Sequence, residues 1–430
     1  MKGKIPFGFD GIIVNSGKKS IISIKAPGNP ALLLSALFFT LLFFTHGCTG
    51  HQSQIGRQWS FDIPPDYLRE APDIPPFWIS SYDGVNEFLE KTVKKGQVEI
   101  IGVSAGGRPI RAVFYGKQRQ GKGTTTFSGS LGFGDVRAYR GHDHDKTVYM
   151  AMAAVHGGEF EGIVGMVNLI SVIETGKDLR GMEWPGITEV VSRLDRIVLI
   201  PVTNPDGRAR IPLRMELYRD TVFTVPEFLN TGGKPDGSIT GWPQIKEFIP
   251  MDFSKPGFPG GYPNDAGVNF MHDDFLGNIQ PETRALFDLT EREKPDLIIN
   301  LHTGAVYMRM DRPLGEPALR PVFDTLFRYV HSELALRGLQ RTNDPVIEGN
   351  PENASSGVYN LDGALNWHCG ALSVVVESPS HAFSANSTTR ERQIESPDNL
   401  LNAQLICHQQ SMKFLAETGG RSKWLPARRP

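Results

Sequence analysis

Hydrophobic residues in this 430-residue chain fall into short blocks bounded by glycine, proline and charge. Four blocks are rich in β-branched residues: residues 146–155 (KTVYMAMAAV), 197–203 (IVLIPVT), 296–301 (DLIINL) and 371–376 (ALSVVV). Runs this short and this apolar predict strands buried on both faces. Two further stretches, residues 98–103 and 109–115, flank Ser104-Ala-Gly-Gly-Arg108 and predict a hairpin. Helical spacing runs through residues 82–96, 161–173, 280–293, 317–336 and 400–417, with Pro281 suited to a first turn. Strands alternating with helices predict an α/β fold: a mixed, mostly parallel central sheet with helices on both faces.

Each strong run ends in polar chemistry. The first leads into His156-Gly-Gly-Glu159, the second into Asn204-Pro-Asp-Gly207, the third into His302 and the fourth into Glu377. In a helix-covered sheet the ligand site lies beyond the carboxyl ends of the strands, so these groups converge on one edge. His156 and Glu159 sit on one tight turn and can face one ion, and the glycines between them relieve the backbone of Cβ constraints. His302 completes a three-ligand set that leaves a position for water, one of the known zinc solutions. Glu377 then fits a general base. H-x-x-E alone arises by chance in many chains, and the weight rests on the strand ends meeting. The competing reading is two core histidines and a structural ion-pair glutamate.

Composition narrows the partners. A hydrophobic fraction of 40% supports a large core in one or two domains. A formal net charge of -2 gives no electrostatic case for nucleic acid or an acidic membrane surface. Lys18, Lys19 and Lys25 precede residues 31–44 (ALLLSALFFTLLFF), a stretch too short to span a membrane and suited to a signal-peptide core. Thr45-His-Gly-Cys48 resembles a bacterial lipobox, although Thr45 stands where a bulky aliphatic residue is expected. Export is therefore expected, with either a cleaved leader or a lipid tether through Cys48.

Residues 1–48 read as the leader, 49–80 as a proline-rich tether, 81–418 as the catalytic domain and 419–430 as a basic tail. Cys369 and Cys407 allow either a disulfide or two buried thiols. Residues 118–141, rich in Gly, Ser and Thr, read as a surface insertion. The Pro- and Gly-dense residues 214–267 read as a rim facing substrate.

Taken in order, H-x-x-E, N-P-D-G, a later single His and a later single Glu resemble the carboxypeptidase A-like zinc metallopeptidases, over residues 82–417. The resemblance implies one Zn²⁺ per chain held by His156, Glu159 and His302, with Glu377 as general base. It also implies an oxyanion-stabilising arginine fifteen residues beyond Asn204, which is Arg219 in Leu217-Tyr-Arg219. Tyr359, ahead of Trp367, falls on the family's mobile substrate-covering tyrosine. Leu365 falls near the residue that shapes the side-chain pocket and hints at apolar selectivity. The implied activity is hydrolysis of a peptide bond at the C-terminus.

One departure matters. Where the family carries an Asn-Arg pair to grip the substrate carboxylate, this chain has Met271-His272. A histidine is charged only part of the time and has no bidentate fork, so His272 or a displaced arginine such as Arg309 would have to serve. Two alternatives follow: an exported cell-wall peptide amidase or peptidase of the same fold, and a non-catalytic zinc-binding module. Two motifs are read as decoys. Gly102-Val-Ser104-Ala-Gly106 matches a nucleophile elbow but lies between two strands, where that mechanism needs a strand–turn–helix. His142-Asp-His-Asp145 reads as a solvated loop.

Overall fold

The computed structural model describes residues 61–426, apart from 62, 64, 218–223, 242–243, 246–249, 306–307, 340–347 and 382–394. The leader, Cys48 and Arg219 lie outside the described residues. Seven strands form one sheet: β1 (Gln97–Val103), β2 (Pro109–Gly116), β3 (Val148–Ala153), β4 (Arg196–Ile200), β5 (Leu297–Thr303), β6 (Arg309–Met310) and β7 (Leu372–Ser378), in the order β1-β2-β4-β3-β5-β7-β6. The central β4, β3, β5 and β7 run parallel. The hairpin β1–β2 and the short β6 join antiparallel at the edges. The expected mixed, mostly parallel sheet is the one observed.

Every residue of β3 and β4 is buried, which is why their sequences show no polar alternation. The alternation is between two cores instead. Tyr149, Ala151 and Ala153 face one layer with Ile197, Leu199, Leu297 and Ile299, while Met150, Met152, Val198 and Ile298 face the other. The first layer is closed by α1 (Tyr82–Thr92), α2 (Phe160–Thr175), α4 (Arg320–Leu336) and α6 (Pro397–Thr418). The second is closed by α3 (Pro281–Glu293) and α5 (Leu361–Cys369). Cys407 of α6 belongs to the first layer and Cys369 of α5 to the second, so the sheet separates them and both thiols are free.

Three stretches differ from expectation. Residues 118–141 are not a surface insertion, since they fold into helical turns at Phe127–Phe133 and Arg137–Arg140 and bury Phe127, Tyr139 and Arg140. The cause is Asp296 at the foot of β5, a buried carboxylate that needs cations: Arg140 pairs with it, and Arg119 reaches it at 3.1 Å. Residues 61–80 are not a free tether. Phe77 and Trp78 enter the core, and Trp78 Nε1 donates to Arg214 O at 2.9 Å. The basic tail docks as well, through Arg421 against Glu316 and Trp424 stacked on Phe414.

Candidate metal centre

The first turn of the site begins under backbone constraint. Ala154, where the chain leaves β3, has a left-handed φ of 53°, an uncommon conformation for a residue with a Cβ. Asn204 N donates to Ala154 O at 2.8 Å and Gly157 N to Gly261 O at 2.8 Å, so neighbouring loops hold the bend. The two glycines of the motif serve close approach rather than backbone freedom. A Cβ on Gly157 would lie 2.1 Å from the carbonyl carbon of Gly207, and one on Gly158 would lie 2.8 Å from Asn230 Oδ1. Glu159 sits at the N-cap of α2, where the helix end favours a negative charge.

His302 and Glu377 stand one residue before the ends of β5 and β7, directly opposite each other in the parallel register. The turn after β3 brings His156 and Glu159 to the same edge. His156 Nδ1 lies 2.8 Å from Glu159 Oε1, His302 Nδ1 lies 3.0 Å from Glu159 Oε2, and the two Nδ1 atoms are 3.2 Å apart. Ligand atoms of all three residues fall within 4.8 Å of one another, and the residues are buried. Two imidazoles and one carboxylate gathered in a buried pocket match the donor set of a zinc site.

The electrostatics follow from burial and proximity. Burial alone would raise the Glu159 carboxyl, but His156 and His302 outweigh it and hold it at about 2. Burial opposes a charge on His302, yet Glu159 prevails and lifts it to about 9. Burial pushes Glu377 up to about 7 in the metal-free protein, against the pull of His302.

Support comes from segments far away in sequence. Asn230 Nδ2 donates to Glu159 Oε1 at 3.1 Å, and Tyr262 stacks on the His156 ring with centroids 3.8 Å apart. Both belong to the long 214–267 stretch, whose helix Thr224–Thr231 delivers Asn230. Glu161, in the first turn of α2, accepts from Thr303 Oγ1 at 3.1 Å and from His381 N at 2.9 Å, which ties the ends of β5 and β7 to the helix. Asn300 Nδ2 donates to Asp362 at 2.9 Å beneath His302.

The triad and Glu377 open into a cavity of about 550 Å³, lined also by His272, Met271, Arg309, Asp311, Asp362 and Glu216. Tyr359 is not on this wall. It is 43% exposed, meets Phe275 edge-on and borders a smaller neighbouring pocket that it shares with His272. Leu365 is fully buried in the core and does not face the cavity, whose wall there carries Asp362, so the hint of apolar selectivity fails.

β6 adds a cation. Arg309 stands opposite Glu377 in the antiparallel pairing, so both side chains lie on one face of the sheet. Arg309 Nε donates to Asp311 Oδ1 at 2.8 Å. The decoys resolve into structure. Ser104 Oγ donates to Asp206 at 2.6 Å, and Asp143 accepts from the amides of Gln120 and Gly121.

Of the supporting residues, only the loop as a whole was marked by the sequence. Asn230, Tyr262 and Glu216 carried no motif.

No family model and no curated protein matches the chain. Solved structures do. A metallo-carboxypeptidase from Burkholderia cenocepacia is 15% identical, with 78% of this chain and 69% of that chain covered and a TM-score of 0.47. A metallo-carboxypeptidase from Pseudomonas aeruginosa, in complex with (2-guanidinoethylmercapto)succinic acid, is 15% identical over 78% of this chain and 68% of that one, at a TM-score of 0.46. Carboxypeptidase A from Helicoverpa armigera is 13% identical over 90% of this chain and 81% of that one, at a TM-score of 0.43.

Proposed function

We propose that the protein is a zinc-dependent peptidase that hydrolyses a peptide or peptide-like amide bond, with His156, Glu159 and His302 as metal ligands and Glu377 as general base. The observation that carries this reading is the meeting of a buried His-Glu-His set with the carboxyl of Glu377, in register with His302, in one cavity. Zinc bound there supplies a Lewis acid that polarises the scissile carbonyl and acidifies water. Glu377 takes the proton of the attacking water on its carboxylate and delivers it to the leaving amine nitrogen. Arg219 is assigned to the carbonyl oxygen as negative charge develops there.

Cleavage at a free C-terminus is the finer part of the proposal. Met271 lines the cavity but has no charge to offer. Arg309, on the face of Glu377, carries a permanent planar fork and takes the carboxylate role in place of an Asn-Arg pair. Export, with a tether through Cys48, remains part of the same proposal and would place the activity outside the cytoplasm.

The test is Glu377→Gln on zinc-loaded protein. Turnover of a peptide panel is expected to fall by about 10²–10⁴-fold while zinc content, read by metal analysis, stays at one per chain. Turnover that survives the substitution would remove Glu377 from the chemistry. A wild-type protein that binds zinc and cleaves nothing would leave a binding module.

A further inference from the structure

The cavity has a second polar wall that the proposed chemistry does not use. Glu216 lines it, yet its side chain is almost entirely buried, and Oε2 has no hydrogen-bond partner among the described residues. Its backbone is fixed by an antiparallel bridge to Glu70, with Ala71 N donating to Met215 O and Leu217 N to Arg69 O. The main chain that carries the carboxyl is therefore anchored beside the cavity. Among the described residues Arg208 is a cation that favours the carboxyl's ionised form, but that guanidinium is spent on the carbonyls of Ser80, Ile211 and Leu213.

Two more acceptors in the same wall are left open. Asn230 Oδ1 and Ser380 Oγ are buried, line the cavity and have no partner among the described residues. Glu159 and Glu161 link the three. Asn230 donates its amide to Glu159, His381 next to Ser380 donates to Glu161, and Glu161 lies close enough to Glu216 to oppose its ionisation. Of the other carboxyls that line the cavity, Glu159 faces its histidines, Asp311 pairs with Arg309, Asp362 accepts from Asn300 and Ser373, and Glu377 is taken by the proposed chemistry. Ionising a buried carboxyl without a partner is expensive, and among the described residues no cation donates to Oε2. A primary ammonium carries three N–H donors and no acceptor.

This wall also stands apart from Arg309. Met215, Phe228 and Leu229, the neighbours of Glu216 and Asn230, pack in the core layer on the α2 side of the sheet. Val375, opposite Asp311 across the β6–β7 pair, and Met271 pack in the layer on the α3 side. The metal ligands gather at the carboxyl ends of the central strands, with Glu377 on the face that carries Arg309.

We propose that Glu216, Asn230 Oδ1 and Ser380 Oγ form a subsite for a substrate ammonium group. Together with Arg309 across the sheet edge, it selects a short peptide that carries a positive charge on one side of the scissile bond and a carboxylate on the other. The inference deepens the peptidase reading and rests on it for the position of the scissile bond. The ammonium comes either from a free N-terminus or from a lysine-like side chain.

The experiment is calorimetric binding to zinc-loaded protein carrying Glu377→Gln, so that the readout does not depend on turnover. Short peptides are compared with their N-acetylated twins, and acetylated peptides containing lysine with those containing norleucine. One member of at least one pair, the ammonium-bearing one, is expected to bind about thirtyfold or more tightly, as for other desolvated charge pairs. Adding Glu216→Gln should abolish that preference while changing the neutral twin at most about threefold. Ser380→Ala keeps the buried charge and should reduce the preference partially, which covers the case in which the glutamine variant does not fold. The pair that shows the preference identifies the source of the ammonium.

Equal binding within both pairs would overturn the subsite, as would no binding of any ammonium-bearing peptide. An equal loss for both twins on substitution would show a merely structural Glu216. Failure of the peptidase reading looks different: the wild-type zinc protein would cleave none of these peptides while the binding preference persisted.

Discussion

At the scale of single residues, charge and geometry separate functional side chains from decoys. Arg309 gives the plainest case. If it receives a substrate carboxylate, Arg309→Met should raise KM for a free-acid peptide by about thirtyfold or more and leave the amidated twin nearly unchanged. Steady-state kinetics on the paired peptides decides it, and an equal effect on both twins would return Arg309 to a structural role with Asp311. Ser104 is the opposite case. Its hydroxyl donates to Asp206 and accepts from Arg108 N at 3.0 Å, so it fastens a turn. Ser104→Ala should cost about 1–3 kcal/mol in denaturant unfolding, with kcat unaltered. A collapse of kcat with stability intact would revive a nucleophilic serine.

At the scale of elements, the metal ligands were legible because each ends a block of apolar residues, and block ends meet at one edge of a parallel sheet. The outer support was not legible. Asn230 reaches Glu159 from 71 positions away, out of a stretch whose Pro and Gly content predicts only that it is a loop. Nor did residues 118–141 betray their burial, because the reason lies in Asp296, a single charge at the foot of a distant strand. Tyr359 matched by order along the chain, yet order does not fix which pocket an exposed ring borders.

The glycines of the first motif were read for the wrong property. Gly157 packs its backbone against Gly207, and Gly207 packs in turn against Gly261, where a Cβ would meet the carbonyl oxygen at 2.2 Å. Three loops therefore stack backbone to backbone behind the metal ligands. Gly157→Ala should force them apart at about 1–3 kcal/mol or more, and the zinc site with them. Chelator competition should show zinc affinity reduced together with stability. Unchanged affinity would mean that the stack is not what positions His156.

At the scale of the whole molecule, the balance of buried carboxyls sets how stability follows pH. Burial pushes Glu161, Glu282 and Glu377 up to about 7 and Glu216 to about 8, from an ordinary 4.5. Each then binds more protons folded than unfolded between those values, so each favours the fold below 4.5 and loses that contribution as pH climbs to 7 or 8. Two buried histidines oppose this over the acid part of the range. Burial lowers His331 to about 4 and His408 to about 3, so the stability they cost at acid pH is regained by 6.5. Above 6.5 these carboxyls act without opposition from the histidines.

Scanning calorimetry of the metal-free protein should therefore show Tm falling between about pH 6.5 and about pH 8.5. Zinc changes the slope, because metal binding releases protons and its positive charge favours the ionised carboxylates around it. The zinc-induced rise in Tm should be larger at the higher pH. Glu282 provides the internal control, since its carboxylate holds Ala105 N and Asn264 Nδ2 in the hairpin region. The slope that survives zinc should shrink further with Glu282→Gln. A metal-free Tm that is flat or rising across the window would mean that the buried carboxyls are already compensated, and the argument for an ammonium at Glu216 would weaken with it.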